Sequence, residues 1–283
     1  MAALFVKHLT VLDFSYVHPK RGILGESWIV DVELAGDLNN EGMVFDFGHV
    51  KHAVRDAVES LFDHKLLLAS QLPGLESHSN AGRIELRWHD DSGNPHHYKA
   101  PQDAVIVVDC PEITPENLVP ALQQVAKDAV PNNVTDIRIT LRTEEIAGAS
   151  YQYSHGLKKH QGDCQRMVHG HRSRLKILRN GKRDPLLEKA WSLKWKDIYL
   201  GTQEDLIGTR EENGISLSQF RYQAQQGEFE LELPSKRVYL LDCDSTVELI
   251  AQHIAQTLKK DDPEHDFEVR AYEGVMKGAI ARS

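Results

Sequence analysis

The chain repeats itself. Val105-Ile-Val-Val-Asp109-Cys110 returns as Val238-Tyr-Leu-Leu-Asp242-Cys243, and Thr114-Pro-Glu116-Asn-Leu returns as Thr246-Val-Glu248-Leu-Ile. Phe62-Asp-His-Lys-Leu-Leu-Leu68 is matched in position and apolar pattern by Trp195-Lys-Asp-Ile-Tyr-Leu-Gly201. The three motifs keep one order at one spacing of about 133 residues, the length of a whole domain rather than a solenoid unit. A chain of 283 residues is long enough for two such domains. The boundary is expected near Gly148-Ala-Ser150, giving units 1–148 and 149–283 with no low-complexity linker.

Each unit reads as hairpin, helices, hairpin, helix, strand, an α+β pattern. In the first, Ser27 to Leu34 alternates in part and predicts a strand. Val50 to Leu68 has helical spacing, with Val54, Val58, Leu61 and Phe62 on one face. Arg83 to Trp88 and His97 to Lys99 flank Asp-Asp-Ser-Gly-Asn-Pro, a turn signal. Thr114 is placed to cap a helix from Glu116 to Val130, because its hydroxyl can accept a free backbone N–H. Asp136 to Arg142 predicts the closing strand.

Composition narrows the function. A net charge of −9 argues against a nucleic-acid partner. No apolar run is long enough to span a membrane, and the N-terminus lacks the basic-then-apolar pattern of a signal peptide. Three unclustered cysteines point to a reducing, cytoplasmic setting, with Cys110 and Cys243 as small core residues at equivalent strand positions.

One window carries chemistry. Tyr153-Ser-His155 and Cys164-Gln-Arg-Met-Val-His169-Gly-His171 read as a hairpin. Side chains alternate along a strand, so His169 and His171 share a face, and His155 joins them from the neighbouring strand. With fifteen His in the chain, an isolated His-x-His is common. The added His155 and Cys164 make this one a candidate metal site. Three imidazoles suit zinc and leave its fourth position open, as catalysis requires. Fe2+ also accepts imidazole. A thiol beside that position can serve as base or nucleophile once ionised.

The pattern resembles the 6-pyruvoyltetrahydropterin synthase and 6-carboxytetrahydropterin synthase family: an aromatic-x-x-x-His strand (Tyr151 to His155), a loop with Cys164, then His169-Gly-His171. Gly42-Met-Val-Phe-Asp-Phe-Gly-His-Val-Lys51 and Asp63-His64 resemble further family segments. These parts are divided. The first unit has Asp63-His64 but lacks the histidines, with Gly25 and Ser27 expected in place of His-Gly-His and Ser15 in place of the first. The second has the histidines and Cys164 but reads Lys196-Asp197 where the pair belongs.

The resemblance implies the tunnelling fold, each unit a four-stranded antiparallel sheet with helices on one face, the sheets joining around a barrel. It implies a zinc (Zn2+) lyase acting on a small-molecule pterin, 7,8-dihydroneopterin triphosphate. His155, His169 and His171 would hold the metal, and Cys164, Asp63, His64 and Glu273 would be catalytic. Thr246, Glu248 and Glu116 sit at the family's pterin-anchoring Thr-x-Glu position, and the first-unit counterpart of Glu273 is expected at Glu144 or Glu145. The divided parts imply a composite site built from both units and a homo-oligomer, dimer or tetramer. Three activities fit the motifs: a 6-carboxytetrahydropterin synthase on the route to queuosine, which the short Cys-to-histidine loop favours; a 6-pyruvoyltetrahydropterin synthase eliminating triphosphate; and a non-catalytic pterin- or purine-binding paralogue.

Overall fold

A computed structural model describes residues 2–283, apart from the side chains of Val50 and Lys51. The first unit opens with a long hairpin, β1 (Ala2–His18) and β2 (Gly22–Gly36). It continues through α1 (Phe47–Phe62), β3 (Leu66–Ala69), β4 (Glu76–Asn80), β5 (Arg83–His89), β6 (Pro95–Pro101), β7 (Val105–Val108), α2 (Pro115–Asp128) and β8 (Val134–Thr143). The second unit runs β9 (Ser150–His155), β10 (His169–Arg179), β11 (Lys182–Arg183), α3 (Pro185–Lys194), β12 (Ile198–Thr202), β13 (Leu206–Glu212), β14 (Ile215–Ala224), β15 (Gly227–Pro234), β16 (Val238–Leu241), α4 (Val247–Asp261), β17 (Phe267–Tyr272) and β18 (Gly278–Arg282). Apart from β11 and β18, the second unit repeats the order of the first.

Each unit has its own sheet and a share in a third. The first sheet runs β7-β3-β1-β2-β8; the second runs β16-β12-β9-β10-β17-β18, with β11 also on β10. The third, β13-β14-β15-β6-β5-β4, takes three strands from each unit. It is joined where Leu231 of β15 pairs with Tyr98 of β6. Val54, Val58 and Phe62 of α1 and Leu118 and Leu122 of α2 bury against Trp28, Val30 and Val32 of β2. Ile250, Ile254 and Leu258 of α4 do the same against Leu175 and Ile177 of β10. A third core draws on both units, with Trp88 and Tyr98 packed among Met167, Val168, Phe220 and Leu231. Burying each such side chain contributes roughly 1.5–3 kcal/mol, so the units are held as one body.

The α+β pattern stands, with three differences of detail. The unit sheets are not four-stranded and antiparallel throughout. Around the antiparallel β1-β2-β8 lie the short parallel strands β3 and β7, and around β9-β10-β17 lie β12 and β16. β3 and β12, the inner of these short strands, are buried throughout, whereas the outer β7 and β16 are partly open. The helix expected over 50–68 stops at Phe62: Asp63 leaves the helical conformation and His64 is left-handed, with φ of 54°. Leu66 to Leu68 instead build β3. Cys110 and Cys243 lie just beyond β7 and β16, and all three cysteines are free.

Thr114 and Thr246 cap α2 and α4, accepting from the backbone N–H of Asn117 and Leu249, each cap contributing about 1 kcal/mol. Among the described residues no helix is long and apolar enough to cross a membrane.

Candidate metal and acid–base site

The β9–β10 register puts His155 directly opposite His169, and β alternation brings His171 to the same face. All three are buried. His155 and His169 are oriented through Nδ1, and Nδ1 of His171 faces a carboxylate. His155 donates to the Ser245 carbonyl (3.0 Å) and His169 to the Arg166 carbonyl (2.9 Å). His171 Nδ1 lies 3.1 Å from Asp13 Oδ1, off the line of a straight hydrogen bond. Carbonyls and carboxylates only accept, so these partners place the hydrogen on Nδ1 and leave the Nε2 lone pair free. One ligand atom from each ring lies within 4.8 Å of the others.

This geometry suits a cation. Among the described residues, Nε2 of His155 and both ring nitrogens of His171 are buried without a hydrogen-bond partner. Such an atom costs about 1–3 kcal/mol unless something meets it. Burial, with the neighbouring His171 ring, holds His155 well below the ordinary histidine range; burial, with its histidine neighbours, does the same for His169. Neutral imidazoles are the form that binds metal. The orphaned nitrogens therefore fit a divalent ion with imidazole preference, with the Nδ1 partners as orienting groups.

The first unit contributes directly. His64 Nδ1 is 2.7 Å from Asp63 Oδ2, and its ring lies 5.0 Å from the His169 ring. His64, Cys164 and His169 form a second close group of donor atoms. Burial disfavours the charged ring, but hydrogen bonds to Asp63 and Cys164 outweigh it and raise His64 to about 10. A protonated imidazole is a poor ligand, so the three-histidine set is the better metal site and His64 the better proton carrier. Asp63 is fixed in turn: its Oδ1 accepts from the Asp13 backbone N–H (2.8 Å), and its carbonyl from Arg166 (3.4 Å).

The remaining expected residues divide. Glu273 Oε1 stands 3.9 Å from His171 Nε2. Thr246 directly follows Ser245, the partner of His155, and Glu248 is exposed on the first turn of α4. Glu116 is exposed at the head of α2 and makes no hydrogen bond or ion pair with the histidines among the described residues. Asp13, Arg166 and Ser245 orient the rings, and sequence reasoning missed all three. Nothing local marks Asp13, whose partner lies in the other unit.

The pairings also locate the first unit's lost site. Ser15 pairs with Gly25 and Leu66, as Ser154 pairs with Gly170 and Tyr199. Leu66 pairs with Val105 as Tyr199 pairs with Val238, the repeat equivalents. Gly25 therefore matches Gly170, and the replacements for His155, His169 and His171 are Tyr16, Leu24 and Glu26, not Ser15, Gly25 and Ser27. Carried along β2 and β8, the same register sets Thr143 opposite Trp28, so Thr143, not Glu144 or Glu145, is the counterpart of Glu273. Asp197 takes the place of His64 and shares its left-handed backbone, with φ of 58°. It is clamped by Arg21 through Nε (2.9 Å) and Nη2 (2.5 Å), and Gln152 links Arg21 (2.5 Å) to Glu26 (3.0 Å). An ion pair and amide network fill this position.

Glu26 gives this network a pH signature. Burial raises its carboxyl from 4.5 to about 7, against the opposing Ser27 backbone N–H and nearby arginines. The folded protein thus holds this proton more tightly than the unfolded chain. The stabilising contribution is complete below pH 4.5 and is lost as pH rises through 7. Glu26→Gln is expected to gain roughly 2–3 kcal/mol over wild type at pH 8 and little at pH 4, measured by urea unfolding.

Two like α+β units sharing one sheet, with a buried three-histidine site at their joint, define a duplicated domain with a single complete set of polar groups. The family model described as 6-pyruvoyl tetrahydropterin synthase matches residues 7–152 and again 145–282, so the chain belongs to that family and carries it twice. Proteins from Pyrococcus horikoshii and Pyrococcus abyssi, provisionally named 6-carboxy-5,6,7,8-tetrahydropterin synthase, are 26% identical over 137 and 128 residues. The matches cover 46% and 45% of this chain and 74% and 73% of theirs. A solved 6-pyruvoyltetrahydropterin synthase from Plasmodium vivax aligns with 50% of this chain and 97% of its own, at 15% identity and a TM-score of 0.38.

Proposed function

We propose that the protein is a zinc-dependent pterin lyase resembling 6-carboxytetrahydropterin synthase, acting on 7,8-dihydroneopterin triphosphate in 7-deazaguanine (queuosine) biosynthesis. The observation that supports it best is the meeting, in one chain, of three buried histidines and Cys164 from one unit with Asp63-His64 from the other. The curated relatives give the choice of product its direction.

In this reading His155, His169 and His171 hold zinc, which when bound supplies Lewis acidity toward the hydroxyls of the pterin side chain. Cys164 takes a proton from that side chain, and His64, oriented by Asp63, carries protons to and from it. Glu273 and Glu248, from the unit that holds the metal, anchor the amide and amino edge of the pterin, since a carboxylate can accept both N–H groups. Thr246 sets the first turn of α4, and Glu116 serves only if a second chain brings it near. Three free cysteines suit a reducing cytoplasm. Among the described residues the outer edge of β8 is unpaired in its sheet, so a dimer or tetramer formed through such edges belongs to the proposal. Light scattering that gives the mass of one chain would remove that part.

The test is mass spectrometry of products from zinc-loaded protein and 7,8-dihydroneopterin triphosphate, with Cys164→Ala alongside. A 6-carboxy product with acetaldehyde, lowered at least 100-fold in the variant, is expected. A pyruvoyl product would reassign the chain as a triphosphate-eliminating synthase. No turnover by zinc-loaded wild type would make it a binding protein.

A further inference from the structure

Asp13 lies in the unit without metal histidines, yet it contacts His171, Asp63, His64 and the turn that carries Glu273. Its carboxylate is buried beside His171, with Oδ1 3.1 Å from Nδ1. The Ser27 hydroxyl donates to the same oxygen at 2.5 Å, and Lys277 Nζ reaches Oδ2 at 3.2 Å. Its backbone N–H donates to Asp63 Oδ1 (2.8 Å), and its carbonyl accepts from the His64 N–H (2.7 Å). Lys277 closes the turn that carries Glu273, through the Glu273 N–H to Lys277 carbonyl bond of 3.0 Å. In that turn Gly274, with φ of 67°, leaves room for the carboxylate: a Cβ there would stand 2.5 Å from Oδ1.

These contacts serve three ends. The main chain of Asp13 sets Asp63 and His64, its side chain faces a histidine ligand of the other unit, and its ion pair holds the loop bearing Glu273. The Asp13 carboxylate faces His171 Nδ1 at 3.1 Å, off the line of a straight hydrogen bond, whereas His155 and His169 are oriented by carbonyls of their own unit. The corresponding place in the lost site is held by Gln152, which donates to Glu26 instead.

We infer that Asp13 is a positioning residue that fixes the tautomer and orientation of His171 across the joint, so that one unit's metal affinity depends on the other's carboxylate. The inference rests on the metal reading above. It predicts that a ligand oriented this way loses about 10–100-fold in metal affinity when its partner is removed.

The experiment uses the full chain stripped of metal. Zinc affinity is measured by competition with a chromogenic chelator, and the visible spectrum of the Co2+-loaded protein is recorded, for wild type, Asp13→Asn and Asp13→Ala. The Asn variant keeps an acceptor oxygen and nearly the same shape, so it remains informative if the Ala variant fails to fold. Zinc affinity about 10-fold weaker in Asn, weaker still in Ala, and altered Co2+ bands at an unchanged unfolding midpoint of the apo-protein are expected. Wild-type affinity and an unaltered Co2+ spectrum in Asp13→Asn would overturn the inference. A wild type that binds neither ion would instead overturn the metal reading itself.

Discussion

Asp63→Asn/His64→Asn should lower turnover of 7,8-dihydroneopterin triphosphate by about 10²–10⁴-fold, the usual contribution of a positioned general acid–base group, while zinc content stays at the wild-type level. Both substitutions spare the fold. Asn at 63 keeps the oxygen that accepts the Asp13 N–H, and Asn tolerates the left-handed backbone found at His64. The result matters because these residues belong to the unit whose own histidine positions hold Tyr16, Leu24 and Glu26. Unchanged turnover would sink the composite site, and loss of zinc together with turnover would make His64 a ligand rather than a proton carrier. Product assays with parallel metal analysis separate the three outcomes.

The sequence told most about what is local. Cys164, His169 and His171 fall within eight residues, and His155 follows from hairpin pairing, so their convergence needed only strand geometry. The duplication was equally legible, because Val105 to Cys110 and Val238 to Cys243 preserve both order and chemistry. Boundaries were less so. An apolar run such as Leu66 to Leu68 satisfies a helix period and a buried strand alike, and α1 ends where Asp63 turns extended and His64 left-handed. Register was least legible of all. Matching Gly25 and Ser27 to the two histidines is as good a fit by spacing as matching Leu24 and Glu26, and a one-residue slip exchanges the faces of a strand. The pairing of Ser15 with both Gly25 and Leu66 decides it. Asp13 was out of reach because its partner, His171, belongs to the other unit.

That register makes Gly25 the second place where a small change should have a large effect. Gly25 and Gly170 face each other where the two hairpins cross, and the hydroxyls of Ser15 and Ser154 share a 2.7 Å hydrogen bond beside them. The chain thus meets itself along equivalent residues, with the complete site on one side of the contact and the Arg21–Asp197 network on the other. A Cβ on Gly25 would fall 1.8 Å from the Tyr153 carbonyl oxygen and 2.4 Å from the His171 backbone nitrogen. Both obstacles are main chain in β9 and β10, so no rotamer change relieves them, and the strands must separate. Gly25→Ala is expected to cost at least about 3 kcal/mol in urea unfolding, the upper range for overpacking a core. It should also weaken zinc binding, because the displaced backbone is that of a proposed ligand in the other unit. Gly74→Ala is the control: unlike Gly25, Gly74 has a positive φ, of 70°, but among the described residues nothing lies within 4 Å of its Cβ, so it should pay only the smaller backbone strain and keep its zinc affinity. Equal zinc affinity in Gly25→Ala and wild type would show that the crossing point and the histidine cluster are mechanically independent. A loss confined to Gly25→Ala would tie the packing of one unit to the chemistry of the other.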